Sequence, residues 1–153
     1  MTLRMLLLVA LVSLAQWSGA EERERLEVEL GGERFTLEVV DDEASRTQGL
    51  MGREALGTNE GMLFDFPAGT RPAIWMRNML ISLDLLFVDE QGRLEQIFRE
   101  VPPCRAMPCE IYRADRPLRF VIEVPAGTAE RLGLNEGDQL QIGTRLSTPL
   151  PLL

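Results

Sequence analysis

The chain has 153 residues, 24 of them acidic and 16 basic, which gives a formal net charge of −8. It contains no histidine, and all of its basic residues are arginines. A Ser-His-Asp or Cys-His nucleophile, a lysine Schiff base, a histidine-ligated zinc and a Walker-type phosphate lysine are therefore excluded. The negative charge also argues against nucleic acid as a partner, because it repels phosphate.

The first twenty residues have the pattern of a secretory signal. Arg4 supplies positive charge, residues 5–15 form an apolar run, and residues 18–20 (S-G-A) suit cleavage. The run makes roughly 16 Å of helix, about half of the ~30 Å hydrocarbon core. We therefore expect cleavage before Glu21, a periplasmic or secreted location, and no stable membrane insertion of the mature chain. The alternatives are an uncleaved anchor or an apolar start to the fold.

Eight short strands are predicted along the rest of the chain, from alternating or apolar runs bounded by glycine and proline. They cover residues 26–30, 35–39, 61–66, 73–76, 83–88, 93–101, 118–124 and 139–145. The strand at residues 83–88 should be buried on both faces. A short helix should open at residues 41–45 with Asp42 as its cap and end at Gly49 or Gly52. A second short helix should have Thr128 as its cap and end at Gly133.

This spacing indicates a mainly β fold, a single compact β-barrel or sandwich of about eight short strands with two short helices. We divide the chain into a signal peptide (1–20), an N-terminal arm with the first strand (21–34), a single β-rich domain (35–145) and a tail (146–153). A mature chain of this length is typical of one domain.

Three motifs follow one another in the first half of the chain: residues 46–53 (R-T-Q-G-L-M-G-R), 61–64 (G-M-L-F) and 75–78 (W-M-R-N). In this order they resemble the prokaryotic domain of unknown function family 192, over roughly residues 35–142. Arg77 replaces the family's lysine, Met79 its usual threonine and Ser82 a frequent proline. The resemblance implies a compact, mostly β, often exported domain, and it implies no particular activity.

Cys104 and Cys109 are the two cysteines of the chain. In an exported protein, an even and closely spaced pair predicts a disulfide, which here would pin a proline-rich loop. A redox couple and a soft-metal site are the functional alternatives.

Methionine sulfur is the second candidate for chemistry. Met76 and Met79 flank Asn78, and Met107 lies between the cysteines. With reduced Cys104 and Cys109, these thioethers could bind Cu(I), which prefers soft ligands. The alternatives are the filling of gaps in a core and an adaptable apolar binding surface.

The third candidate is a ligand site around Trp75, Arg77 and Asn78. If this segment is extended, Trp75 and Arg77 point the same way, which suits a small polar ligand or a sugar. Alternatively, Trp75 fills the edge of the core and Asn78 makes a turn.

Arginines could complete this site or serve only as ion-pair partners. Arg46 and Arg53 could form an anion pocket together with Arg77. They could equally pair with aspartates, and we include Asp84 among the candidates because it precedes a buried strand and needs a partner. The aspartates available for such pairs are Asp41, Asp42, Asp65 and Asp84.

The sequence therefore favours an exported, non-catalytic module that binds a small molecule or peptide, or an envelope accessory protein with a protein partner. No cofactor and no catalytic residue are nominated. The alternatives are the Cu(I) protein and an enzyme using carboxylate or thiol chemistry, which would need a cleft containing a perturbed acid or a reduced cysteine.

Overall fold

A computed structural model describes residues 23–147, 149 and 151. The predicted signal peptide (1–20) and part of the predicted tail lie outside the described residues. The elements are β1 (Arg25–Leu30), β2 (Glu33–Val40), α1 (Glu43–Gln48), β3 (Glu60–Asp65), β4 (Ala73–Trp75), β5 (Leu83–Val88), β6 (Leu94–Val101), β7 (Ile111–Arg113), β8 (Phe120–Pro125), α2 (Thr128–Arg131) and a 3-10 helix (Gly143–Ser147).

The strands form two sheets. Six of them make a large sheet in the order β1-β2-β3-β8-β5-β6, and β4 pairs with β7 in a small one. Only the β2–β3 pair is parallel among these strands, and a parallel pair needs a crossover. The crossover carries α1. Neither sheet closes into a barrel, so the mainly β prediction is confirmed in its sandwich-like form.

Both faces of the large sheet are covered at its centre. Side chains of β3, β5 and β8 alternate between two apolar clusters, and β5 is buried at every position, as predicted. The face that packs against residues 126–142 is called the α2 face, and the opposite face, below α1 and β4, is called the α1 face. The strands contribute Leu63, Leu86, Val88, Phe120, Ile122 and Val124 to the α2 face and Met62, Phe64, Leu83, Leu85, Phe87 and Val121 to the α1 face.

The predicted strand at 139–145 is wrong, and β7 was not predicted. Gln139 and Gln141 form single bridges with Arg93 and Glu29, and a 3-10 helix follows. Leu140 and Ile142 pack on the α2 face, which explains the strand-like alternation. The segment crosses the sheet instead of extending it. The alternation of apolar and polar residues indicates which side chains are buried, but it does not indicate whether the segment pairs with a neighbouring strand.

Two glycines of the family-like motifs have steric reasons to be glycine. Gly49 ends α1 with a φ of 46°, and a Cβ there would lie 3.2 Å from the ring of Phe64. A Cβ on Gly61 would lie 2.4 Å from the backbone carbonyl of Glu123. Gly61 thus lets β3 approach β8 closely.

The predicted cap of α1 is confirmed, and that of α2 is corrected. The Asp42 carboxylate accepts the backbone N–H of Ser45 at 2.9 Å. Gly127, not Thr128, is the N-cap of α2, and it makes no side-chain cap bond because glycine has no side chain.

The carboxylate of Asp84 supplies the side-chain acceptor that Gly127, the N-cap of α2, lacks. Its fully buried carboxylate accepts backbone N–H groups from Ala129 at 2.7 Å, Gly127 at 3.2 Å and Glu100 at 2.7 Å. One side chain of β5 therefore fixes the start of α2 and the end of β6. The prediction that Asp84 needs a partner holds, but the partners are backbone amides.

Asp65 is the second buried acid of the α2 face. It accepts Nε of Arg119 at 2.9 Å and Nε of Arg145 at 2.8 Å. Arg145 also contacts Asp41 at 2.6 Å and Glu24 at 3.1 Å. This network joins the 3-10 helix to β3 and to the segment that precedes β8.

Within residues 23–147, 149 and 151, no helix combines the length and the apolar character needed to cross a membrane.

Replacing Asp84 by asparagine should lower the free energy of unfolding by roughly 2–4 kcal/mol, because an amide accepts through one oxygen and would turn its NH2 toward backbone donors. Urea denaturation of the variant and of Glu90→Gln, which alters an exposed acid, measures this. A loss below about 0.5 kcal/mol, the usual range of surface changes, would contradict the role of Asp84.

Candidate functional site

Trp75 and Arg77 lie side by side, as the sequence predicts for an extended segment. The Arg77 guanidinium stands 5.3 Å from the centre of the Trp75 ring, while Met76 between them is buried. Trp75 is 39% exposed, so its ring reaches the surface at the edge of the small sheet.

The arginines nominated with them do not gather into one pocket. Arg53 forms a two-bond pair with Glu38, at 2.7 and 2.6 Å. Its hydrogen bonds lower the pKa of Glu38, and Glu38 in turn raises the pKa of Arg53. Arg46 donates to the backbone carbonyls of Asp41 and Asp65 and stacks on Phe66 at 5.5 Å.

Asn78 and Asp84 make hydrogen bonds within the protein. Asn78 has a φ of 57°, and its carbonyl accepts the backbone N–H of Gly52 at 3.1 Å. The turn interpretation of Asn78 therefore describes its backbone. Asp84 faces α2, on the opposite side of the large sheet from Trp75, so the two cannot share one ligand.

The candidate sulfur ligands are divided between the core and the surface. Cys104 and Cys109 form the predicted disulfide, with an S–S distance of 2.10 Å. Met76 and Met79 are buried in the α1-face cluster, whereas Met107 is 67% exposed. Met76 and the disulfide line one cleft of about 180 Å³. Since the sulfurs of the disulfide carry no thiolate, a Cu(I) site would rest on the thioethers alone.

A cavity of about 290 Å³ opens on the α1 face, between α1, β3 and β4. Most of its walls are apolar, and Trp75, Phe66 and Phe64 supply aromatic surface. The lining residues are Glu43, Arg46, Thr47, Gln48, Gly49, Leu50, Met51, Phe64, Phe66, Ala73, Ile74, Trp75, Met79 and Glu123. Of the nominated ligand residues, Arg46 and Trp75 thus meet at this cavity.

Glu123 is the unusual member of this lining. It lies in the middle of β8, opposite Met62 on β3 and Leu85 on β5, and is 4% exposed. Among the described residues, no group donates a hydrogen bond to its carboxyl. No side-chain oxygen there is both sealed from solvent and without a partner, so the carboxyl reaches the cavity.

Burial raises the pKa of Glu123 to about 8. The apolar surroundings disfavour the charged form, and no cation compensates for this. The carboxyl is therefore mostly protonated at neutral pH. Perturbed acids in a cleft are frequent at functional sites.

Glu123 was not among the predicted site residues, although the sequence contains a signal for it. Residues 120–124 read F-V-I-E-V, so one acid interrupts an otherwise apolar strand. In a strand with one wet face, such an acid would lie in solvent. Only the burial of both faces of β8 makes it exceptional.

This geometry is suited to binding. A lone protonated carboxyl can donate a hydrogen bond, or lose its proton and hold a cation. The hydroxyl of Thr47, the one hydroxyl side chain in the lining, is already bonded to the carbonyl of Glu43. The fold and the cavity together define a mainly β protein with an apolar cavity of ligand size that has an acid at its floor.

The family follows from a match to a family model. The model of the domain of unknown function family 192, described as Uncharacterized ACR, matches residues 26–142, and the chain belongs to this family. The predicted resemblance is confirmed. No curated protein matches the chain significantly.

Two solved structures are similar to the chain. One is a candidate transcription regulator from Sinorhizobium meliloti 1021, with 33% identity, a TM-score of 0.69, and coverage of 78% of this chain and 92% of that one. The other is a protein of unknown function from Novosphingobium aromaticivorans DSM 12444, with 31% identity, a TM-score of 0.67, and coverage of 76% and 83%.

Glu123 should make the protein less stable as the pH rises. Its pKa is about 8 in the folded chain and near the ordinary 4.5 when unfolded. Its stabilising contribution is therefore complete below about pH 4.5 and is lost as the pH rises to about 8, at about 1 kcal/mol per pH unit.

Urea denaturation of the wild type and of Glu123→Gln between pH 5 and 8 isolates this slope as their difference. Glu38 and Asp42, whose pKa values are lowered, act in the opposite sense and at lower pH, and they are common to both proteins. Parallel pH curves would show that Glu123 is not buried as described.

Proposed function

We propose that the chain is an exported protein that binds a small organic molecule in the cavity on the α1 face. The observation that carries this proposal is the unpartnered carboxyl of Glu123 at the cavity floor. Burying a polar group without a partner costs free energy, and an apolar residue would suit this strand better. A retained acid of this kind is explained by a ligand that provides the missing partner.

The walls of the cavity support the same conclusion. Ligand sites combine an apolar lining with a few polar groups that fix the orientation of the ligand. Here Phe64, Phe66 and Trp75 provide apolar contact area, and Glu123 provides the polar contact. At about 290 Å³, the cavity is at the small end of ligand pockets.

Nucleic acid is not the partner that we propose, although the Sinorhizobium relative is a candidate transcription regulator. The net charge of −8 would repel the phosphate backbone. In addition, the α-helices of the described part have six and four residues, which is short for a helix that reads a DNA groove. These observations support a partner other than nucleic acid.

Export is the second part of the proposal. The signal-like residues 1–20 and the disulfide support it, because disulfides persist in oxidising compartments. A periplasm or the outside of the cell would satisfy both features. An envelope protein as the partner, with the cavity as its contact, is the competing form of the same proposal.

Binding should be visible as a raised thermal midpoint of the processed protein. The panel contains small amines, alcohols and carboxylic acids with apolar bodies, together with sugars, amino acids, short peptides and Cu(I). A ligand at a hundred times its dissociation constant adds about 2.7 kcal/mol of stability. We expect Trp75→Ala to weaken the effect and Thr47→Trp, which fills the cavity, to abolish it.

Thr58→Trp is the matched control, since Thr58 is exposed and outside the cavity lining. A panel without any response would refute the small-molecule function and direct attention to protein partners. A rise with Cu(I) alone, lost when Met76 and Met79 become leucine, would favour the copper alternative.

Expression of the full chain in a bacterial host should yield a periplasmic protein that begins at Glu21. Intact-mass measurement after alkylation without reduction should show no modified cysteine, because Cys104 and Cys109 are joined. Retention of residues 1–20 in a membrane fraction would contradict signal cleavage.

A further inference from the structure

Three ionisable side chains line the cavity, and they differ in whether they already have a partner within the protein. Only Glu43, Arg46 and Glu123 are ionisable among the lining residues. Arg46 is already bonded to two backbone carbonyls and stacked on Phe66. Glu43, and Glu123 once it has lost its proton, supply the negative charge of the lining, and Glu123 has no cationic partner among the described residues.

The aromatic rim offers apolar contact surface. Phe66 and Trp75 each have an arginine guanidinium over the ring, at 5.5 and 5.3 Å. Because these cation–π contacts are already made within the protein, the rings are left to pack against an apolar body. A ligand entering the cavity would thus contact aromatic surface with its body while its end reaches Glu123.

We propose that the ligand is an organic monocation with an apolar body, an alkyl- or arylammonium whose charged end pairs with the Glu123 carboxylate at the cavity floor. This inference rests on the proposed binding function. It assigns Glu123 as the recognition residue, and the aromatic rim as the surface that holds the apolar body.

The three possible ligand charges are not equivalent here. An anion would meet the charge of Glu43 and no cation at the floor, where it could only accept a hydrogen bond from the protonated carboxyl of Glu123. A neutral alcohol could accept a hydrogen bond from the protonated carboxyl, but such a bond is about half as strong as a charge-assisted one. A cation requires Glu123 to lose its proton, which lowers affinity about tenfold at pH 7, given a pKa of about 8.

The ion pair offsets this loss because it gives the buried carboxylate the charge partner that it lacks, and the apolar body of the ligand adds burial against the rim. Size sets a further limit on the ligand. A volume of about 290 Å³ corresponds to roughly ten water molecules at about 30 Å³ each. 2-Phenylethylamine is of this size, and 2-phenylethanol and 3-phenylpropanoate are matched probes of neutral and negative charge.

The experiment measures the affinity of the processed protein for these three probes between pH 5 and 9, by calorimetry and by the fluorescence of Trp75. Trp75 is the one tryptophan after residue 20, so the signal reports on the cavity rim. We expect the affinity for the amine to rise about tenfold per pH unit up to about pH 8 and then to level. Near pH 7, close to one proton should be released per amine bound.

Glu123→Gln should lower the affinity for the amine at pH 8 by at least tenfold and leave the affinity for the alcohol within about twofold, since a neutral amide cannot balance the charge. Glu90→Gln, which removes an exposed acid outside the cavity, should change neither. The thermal midpoints of both variants show whether each is folded.

Tighter binding of the alcohol or the carboxylate than of the amine at pH 8 would overturn the cation assignment and leave the binding function standing. An amine affinity that does not change with pH, or that survives Glu123→Gln, would overturn it in the same way. The absence of binding by every member of the wider panel is the separate result that refutes the function itself.

Discussion

The burial of β3, β8 and β5 on both faces is the constraint on which the rest of the structure depends. A charged side chain in these strands cannot turn to solvent, so it must find a partner inside the protein. Asp65 forms ion pairs with arginines, and the carboxylate of Asp84 accepts hydrogen bonds from backbone amides. The carboxyl of Glu123 has no such partner among the described residues and faces the cavity. The need of a buried acid for a partner is therefore met within the protein at Asp65 and Asp84, whereas the carboxyl of Glu123 is available to a ligand.

The two faces of the sheet differ because their covers differ. On the α2 face, the segment from α2 to the 3-10 helix is fastened at Asp84 and Asp65, and apolar residues fill the space beneath it. On the α1 face, the cover is assembled from α1, which buries none of its residues, and from two strands of three residues. Such short elements leave space between them, and the cavity occupies this space above Glu123.

Residues of the three family motifs shape this cover of the α1 face. Gly49 ends α1 against Phe64, and Gly61 allows β3 to approach the backbone at Glu123. Asn78 bonds to Gly52 and so joins the W-M-R-N turn to the end of the R-T-Q-G-L-M-G-R segment. The motifs thus shape the walls of the cavity, while the acid at its floor lies outside all three of them.

The sequence by itself determined the mainly β class, the cap of α1, the disulfide, the common direction of Trp75 and Arg77, and the family. Each of these rests on neighbours in the chain, whose spacing is visible as periodicity, turn residues or motif order. Tertiary structure alone decided that residues 139–145 cross the sheet, that Arg53 pairs with Glu38, and that Glu123 lies in a cavity. These features depend on which distant segments of the chain meet. Burial of β8 on both faces raises the pKa of Glu123, which would be an ordinary acid in a strand with one face in solvent.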